Sequence, residues 1–288
     1  MSASLSPCPR SVIVTRLRAV GCVFAEDEAR LLSCAARTAA DLAVMVDRRA
    51  AGVPLEHVLG WAQFCGLRIA VDPGVFVPRR RTELLVRQAA ALAPQAADPA
   101  PQAADPAGQG FARPRAVVVD LCCGSGAVGA ALVAALDRVE LYAVDIDPAA
   151  VRCARRNVAA AGGQVYEGDL YQPLPARLRG RVDVLVANAP YVPTEAVGLL
   201  PPEARVHEPR VALDGGADGL DVLRRVAAAA PLWLAPGGHL LVETSERQAP
   251  QTVDTVARNR LIPRVTSSDE RDATVVIGTR PALQSGRS

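Results

Sequence analysis

From Ala116 onward the chain alternates short, unbroken apolar runs with stretches of helical spacing, and this pattern constrains the fold more than any other feature. "AVVVDL" (116–121), "ELYAVDI" (140–146), "VDVLVAN" (182–188) and "GHLLVET" (238–244) read as strands of continuous apolar type, as expected where both faces of a parallel sheet are covered. Between them, 127–138, 148–161 and 218–234 have helical spacing. Such alternation predicts a doubly wound α/β domain. Ligands of these sheets bind beyond the carboxyl ends of the strands, so the strand ends are where function is to be sought.

The first strand runs into "VVVDLCCGSGAVGAAL". Gly124, Gly126 and Gly129 have dinucleotide-fingerprint spacing, and Asp145 closes the next strand as an acid that would bind a ribose hydroxyl. Two nucleotide ligands compete for such a loop, a nicotinamide dinucleotide and S-adenosylmethionine. Asp120, immediately before the loop, favours the second, because a carboxylate suits a cationic sulfonium and ammonium and would repel a pyrophosphate. A third strand is followed by "YEGDLYQPL", which puts Asp169 beyond its end, either to accept from an adenine amino group or to turn the loop before Pro173.

The next strand closes on "VANAPYVP". An amide or exocyclic amine nitrogen is a poor nucleophile, because its lone pair is delocalised, and it gains positive charge as it attacks a methyl group. Two fixed acceptors, one for each N–H, would orient the lone pair and stabilise that charge. Asn188 offers a side-chain oxygen and Ala189 a main-chain carbonyl, which Pro190 would hold extended; Tyr191 offers a ring for a planar group to lie against. The plainer alternative is an Asn-initiated turn stiffened by proline.

Upstream, residues 11–60 have helical spacing, through Val12, Leu17 and Val20, then Ala29, Leu32, Ala36 and Ala39, then Leu42 and Val46, up to a break at Gly52-Val53-Pro54. Leu67, Ile69 and Val71 alternate before Asp72-Pro73-Gly74, and Val75 and Val77 alternate after it, which predicts a β-hairpin about that turn. "PQAADPA" occurs twice over 94–107; its prolines forbid a continuous helix, so 94–115 reads as a flexible insert. The expected organisation is an N-terminal helical substrate-recognition piece over 1–62, a hairpin linker over 63–78 and a catalytic domain over 79–288.

All 32 basic residues are Arg, yet net charge is only +2, so the electrostatic footprint of a dedicated nucleic-acid binder is missing and direct nucleic-acid contact is not expected. Seven cysteines lack C-x-x-C pairing and nearby His, so no metal site is expected and a reduced, cytoplasmic setting is the simplest reading. No apolar run reaches the roughly 18 residues needed to span a bilayer, and no membrane association is expected.

Taken in order, "PLEHVLGWAQFCGLRIAVDPGVFVPRRRTELLV", "VVVDLCCGSGAVGAAL", "DVLVANAPYVP", "HEPRVALDGGADGLDVLRRV" and "LAPGGHLLVE" resemble the HemK/PrmC group of protein N5-glutamine methyltransferases, over about residues 53–248. The resemblance implies a Rossmann-like class I methyltransferase domain with a mostly parallel seven-stranded sheet, S-adenosylmethionine as cofactor, and a glutamine-bearing loop of a peptide-chain release factor or ribosomal protein as substrate. It implies that Asn188, Ala189, Pro190 and Tyr191 form the amide site. It places Asp120, Cys122, Gly124, Gly126, Asp145 with Ile146, Asp169 with Leu170, and Asn188 again on the cofactor.

The chain departs from the family pattern at three places. Cys122 stands where the first loop glycine is usual, Arg80-Arg81 replaces Pro-Glu and reverses local charge near a substrate-facing linker, and Ala189 replaces the first proline of Asn-Pro-Pro-Tyr. Glu208-Pro209 and Gly215-Gly216 are expected to shape the loop over the substrate. The competing readings are an adenine-N6 nucleic-acid methyltransferase, which shares the acceptor geometry, and a non-catalytic S-adenosylmethionine-binding protein.

Overall fold

The structure is a computed structural model that describes residues 10–94 and 116–282; the repeat and insert, from residue 95 on, lie outside the described residues. Four helices open the chain, α1 (Arg10–Ala19), α2 (Ala25–Ala35), α3 (Ala39–Ala50) and α4 (Leu55–Leu59). Thr38 starts α3 by accepting the Asp41 N–H on its hydroxyl, satisfying one of the free donors of a helix N-terminus. The apolar face of α1 is Ile13 and Leu17, both buried, so Leu17 lies where the predicted stripe put it, while Val12 and Val20 are about half exposed and Ile13 fills the place expected of Val12.

A hairpin follows, but not about Asp72-Pro73-Gly74. Strands β1 (Trp61–Phe64) and β2 (Leu67–Ala70) pair across Cys65 and Gly66, whose φ values of 48° and 79° make the two-residue left-handed turn that matches strand twist. Asp72-Pro73-Gly74 does turn the chain, with the Val75 N–H donating to the Asp72 carbonyl at 3.1 Å. The segment after it does not pair, because side chains take its backbone groups: His57 Nε2 meets the Val75 carbonyl at 2.8 Å and the Val77 N–H donates to Glu208 at 3.2 Å. Val75 and Val77 themselves are buried in the core.

Helix α5 (Glu83–Leu92) leads into the main sheet: β3 (Ala116–Leu121), α6 (Ala127–Ala135), β4 (Val139–Asp145), α7 (Pro148–Val158), β5 (Gln164–Glu167), β6 (Val182–Ala187), α8 (Pro202–His207), α9 (Asp221–Trp233), β7 (Leu234–Thr244), α10 (Ala249–Arg258), β8 (Ile262–Ser268) and β9 (Ala273–Thr279). Seven strands lie in the order β5-β4-β3-β6-β7-β9-β8, parallel except that β9 runs antiparallel to both of its neighbours. This is the expected fold, a Rossmann-like class I methyltransferase sheet. Alternate residues of each central strand feed two separate cores: Val118, Val184 and Val186 face α5 to α7, while Val117, Val119 and Leu185 face α9 and α10.

Topology places the site. Order along the chain reverses between β3 and β6, which pair directly, Asp120 beside Val186 and Leu121 beside Ala187. The loop after β3 and the segment after β6 therefore emerge side by side, at the point where such sheets open a crevice.

Candidate active site

A cavity of about 430 Å³ opens at that crevice. It is lined by Asp120, Cys122, Cys123, Gly124 and Ser125 of the first loop, Asp145 and Ile146 after β4, Asp169 and Leu170 after β5, and Asn188 to Val192 after β6. Its further wall comes from Leu200, Pro201, Glu203 and Ala204, at and around the start of α8. Gly126 lies behind the loop and does not line the cavity; a Cβ there would come within 3.0 Å of Ala154, so its role is close packing of the loop on α7.

The loop is held from below. Cys122, Gly124 and Gly126 all have positive φ, at 54°, 54° and 76°, which bends the chain sharply off β3 into α6. Asp145 fixes that bend with both carboxylate oxygens: Oδ2 accepts the Gly124 N–H at 2.8 Å and Oδ1 the Asp147 N–H at 2.9 Å. Asp120, 2% exposed, accepts the Gly129 N–H at 2.9 Å. Burial pushes its pKa up to about 7, against the opposing hydrogen bond from Gly129 and with help from Asp145. Each carboxylate oxygen keeps a second lone pair, so holding the loop does not prevent either acid from meeting a ligand. Asp169 is paired with Arg225 of α9 and, at 3.3 Å, with Gln172. Ile146, 53% exposed although apolar, and buried Leu170 supply flat apolar walls beside these acids.

The four residues after β6 are equally well fixed. Asn188 donates from Nδ2 to the Thr82 hydroxyl at 3.3 Å, which leaves its Oδ1 as the remaining amide end. Ala189 is buried. Gln248 donates from Nε2 to the Tyr191 carbonyl at 2.9 Å and to the Asp218 carbonyl at 3.0 Å, clamping the motif to the loop of Gly215 and Gly219. That loop lies directly on the motif: a Cβ on Gly219 would stand 2.3 Å from the Tyr191 carbonyl oxygen and one on Gly215 2.6 Å from that of Pro190. The glycines thus buttress the acceptor site from behind.

Position 81 behaves otherwise than its sequence suggests. Arg81 does not present an isolated positive charge to a substrate; its Nε donates to the buried Glu243 at 3.1 Å, and its guanidinium lies 5.8 Å from the centre of the Tyr191 ring. Arg79 likewise meets buried Glu208 at 2.5 Å. Thr82, Glu243 and Gln248 were not singled out in the sequence, although the first two fall within quoted motif segments; Thr82 and Gln248 lie far from residues 188–191 in the chain and bond to them only through the fold. The one available signal was the abrupt polar end of the apolar run in "GHLLVETSERQ".

The helical front piece is tied to one wall of the cavity without lining it. Arg49 of α3, 7% exposed, bridges Glu28 of α2 at 2.5 Å and Glu203 of α8 at 2.6 Å, so a cavity-lining residue is tied to the N-terminal helices. Among the described residues no helix is long and apolar enough to cross a membrane.

Residues 109–202 match the family model described as "Methyltransferase small domain". The chain is 37% identical over 238 residues to the release factor glutamine methyltransferase of Geobacter sulfurreducens, covering 82% of this chain and 76% of that protein. It is 38% identical over 211 residues to the enzyme of the same name from Mycolicibacterium smegmatis, covering 73% of this chain and 68% of that one. Among solved structures, a release factor-specific protein-(glutamine-N5) methyltransferase from Alicyclobacillus acidocaldarius is 21% identical, with a TM-score of 0.40, covering 71% of this chain and 94% of the other. Identity and coverage in the two sequence relatives are sufficient to assign the chain: it belongs to the release factor glutamine methyltransferase family.

Proposed function

We propose that this protein transfers a methyl group from S-adenosylmethionine to the side-chain amide nitrogen of a glutamine in a peptide-chain release factor. The observation that carries the reading is the meeting, in one cavity, of an acid-rich loop after β3 with an anchored Asn188 after the adjacent β6. The donor set suits the cofactor: Asp120, Asp145 and Asp169 line the wall as carboxylates for a cationic, hydroxyl-bearing and amino-bearing ligand, and Ile146 and Leu170 flank them as apolar surface for an adenine. When bound, S-adenosylmethionine supplies an electrophilic methyl on a sulfonium.

The residues of the chain do the rest. Asn188 Oδ1 and the Ala189 carbonyl accept the two N–H groups of the glutamine amide, turning its lone pair toward the methyl and stabilising the charge that develops on nitrogen. Replacement of proline by alanine at 189 leaves this carbonyl in place. Tyr191 lies against the amide plane, held by Arg81. In this reading residues 1–62 recognise the body of the substrate protein, and the tie of the N-terminal helices to α8 through Arg49 and Glu203 supports it.

The test is to incubate the purified protein with labelled cofactor and a release factor from the same cells and to locate the label by mass spectrometry. A methylated glutamine side chain is expected; label in nucleic acid and none in protein would overturn the reading. Asn188→Ala should lower turnover by about 10²- to 10³-fold, the usual effect of losing one preorganised polar contact, while the cofactor still binds.

A further inference from the structure

The segment after β5 is pinned more firmly than a surface turn requires. The Gly168 N–H donates to the Asp145 carbonyl at 2.9 Å and the Gln172 N–H to the Asp169 carbonyl at 3.1 Å, and a Cβ on Gly168 would stand 3.0 Å from the Pro173 ring. Leu170 is held at φ 50°, left-handed backbone that a residue with a side chain resists and that persists only where its surroundings impose it. Helix α9 supplies much of that constraint. Buried Tyr171 donates its hydroxyl to the Val226 carbonyl at 2.8 Å and stacks on Trp233, the ring centres 5.6 Å apart. Arg225, next to Val226, reaches the carboxylate of Asp169, and both residues line the cavity.

That carboxylate is held at one end only. Arg225 Nη2 and Gln172 Nε2, the latter at 3.3 Å, both donate to Asp169 Oδ2; among the described residues no donor reaches Oδ1. The two oxygens of a carboxylate are equivalent until a partner distinguishes them, and two donors on one oxygen leave the other as the open acceptor. The ion pair is well exposed to solvent, so it adds little to the stability of the fold. What it fixes is the acceptor that this wall of the cavity offers.

We propose that Arg225 is a positioning residue that sets base specificity: by taking Oδ2 of Asp169 it keeps Oδ1 directed to the exocyclic amino group of the cofactor's adenine, so that the site takes a 6-aminopurine and rejects a 6-oxopurine. An amino group donates to that oxygen. A 6-oxo group sets oxygen against oxygen, and a site built round a hydrogen bond discriminates strongly against a ligand that cannot make it. The proposal deepens the function proposed above and rests on its placing of Asp169 beside the adenine.

The test compares binding of S-adenosylhomocysteine and S-inosylhomocysteine, which differ in the group at position 6 of the purine, to the purified protein by calorimetry. The unaltered protein should prefer the adenosyl compound by about 10²-fold, the effect of one hydrogen bond to a charged group exchanged for a repulsion. Arg225→Met keeps the apolar stem and should lower that preference by about tenfold, chiefly by weakening the adenosyl compound. Loss of packing alone would weaken both compounds equally; an unchanged or increased preference in Arg225→Met therefore overturns the role of Arg225. Asp169→Asn tests the ground beneath it, because an amide can turn to donate to a 6-oxo group, and should abolish the preference. If Asp169→Asn leaves the preference unchanged, Asp169 is not beside the base and the cofactor reading of this wall fails with the proposal. If it abolishes the preference while Arg225→Met does not lower it, Arg225 alone is excluded.

Discussion

Cys122 carries a side chain in left-handed backbone, at φ 54°, a conformation that costs a non-glycine residue about 1 kcal/mol or more. The sequence marked this residue as a departure, and the structure gives it a physical meaning: Cys122 takes the left-handed conformation that suits a glycine, and the chain bears the strain. Cys122→Gly should therefore stabilise the fold, by up to about 1 kcal/mol after loss of the thiol's partly buried contacts, as read from the urea midpoint. Destabilisation would mean that packing of the thiol outweighs the strain. Asp120 makes the second residue-scale prediction. Its pKa is raised from 3.8 to about 7, so its contribution to stability is present below the lower value and is lost as pH rises through the upper one. A cationic ligand favours the ionised form. S-adenosylmethionine should thus bind more tightly from about pH 6 to about pH 8 and release protons on binding, as measured by calorimetry in buffers of different ionisation heat. S-adenosylhomocysteine shares the ammonium and lacks the sulfonium, and should show a weaker dependence; identical pH profiles for the two would remove Asp120 from recognition of the sulfonium.

Among the elements, α3 and α8 are coupled by a buried charge. Replacing Arg49 with Met removes the partner of Glu28, itself almost buried, and should cost about 3 kcal/mol, the usual penalty for stranding one member of a buried pair. Because Glu203 is released at the same time, protease cleavage around α8 should accelerate beyond what the loss of global stability explains. A variant with unaltered melting temperature and cleavage would show that the triad contributes nothing to holding the two pieces together. The elements also show where sequence reasoning stops. Continuous apolar runs such as 116–121 were legible because both faces of the strand are covered, so burial writes itself on every residue. β8 was not legible, because this edge strand reads Ile-Pro-Arg-Val-Thr-Ser-Ser and is mostly exposed or half-buried. The hairpin was placed about Asp72-Pro73-Gly74 because proline and glycine mark a turn without saying whether the next segment will pair; His57 and Glu208, distant in sequence, decide that it does not.

For the whole molecule, legibility followed the direction of the chain. Residues that line the cavity from a strand end, such as Asp145 and Asn188, stand in recognisable local motifs. Residues that hold them from other parts of the chain, Thr82 on the cavity wall and Gln248 outside it, act only by contact across the fold, so no local pattern announces their role. The pairing of β3 with β6 has one more consequence. Neighbouring strands lie about 4.8 Å apart, and in the middle of a covered sheet that spacing does not adapt. The distance between donor and acceptor half-sites is accordingly set by the lattice of the sheet. Synthetic cofactors that carry ethyl, allyl or propargyl groups must find their extra volume on the opposite wall, where Leu200, Pro201 and Ala204 stand on short helical turns and the segment before them. Trimming that wall, with the strands left alone, is the route to a catalyst that appends a chemical handle to its target.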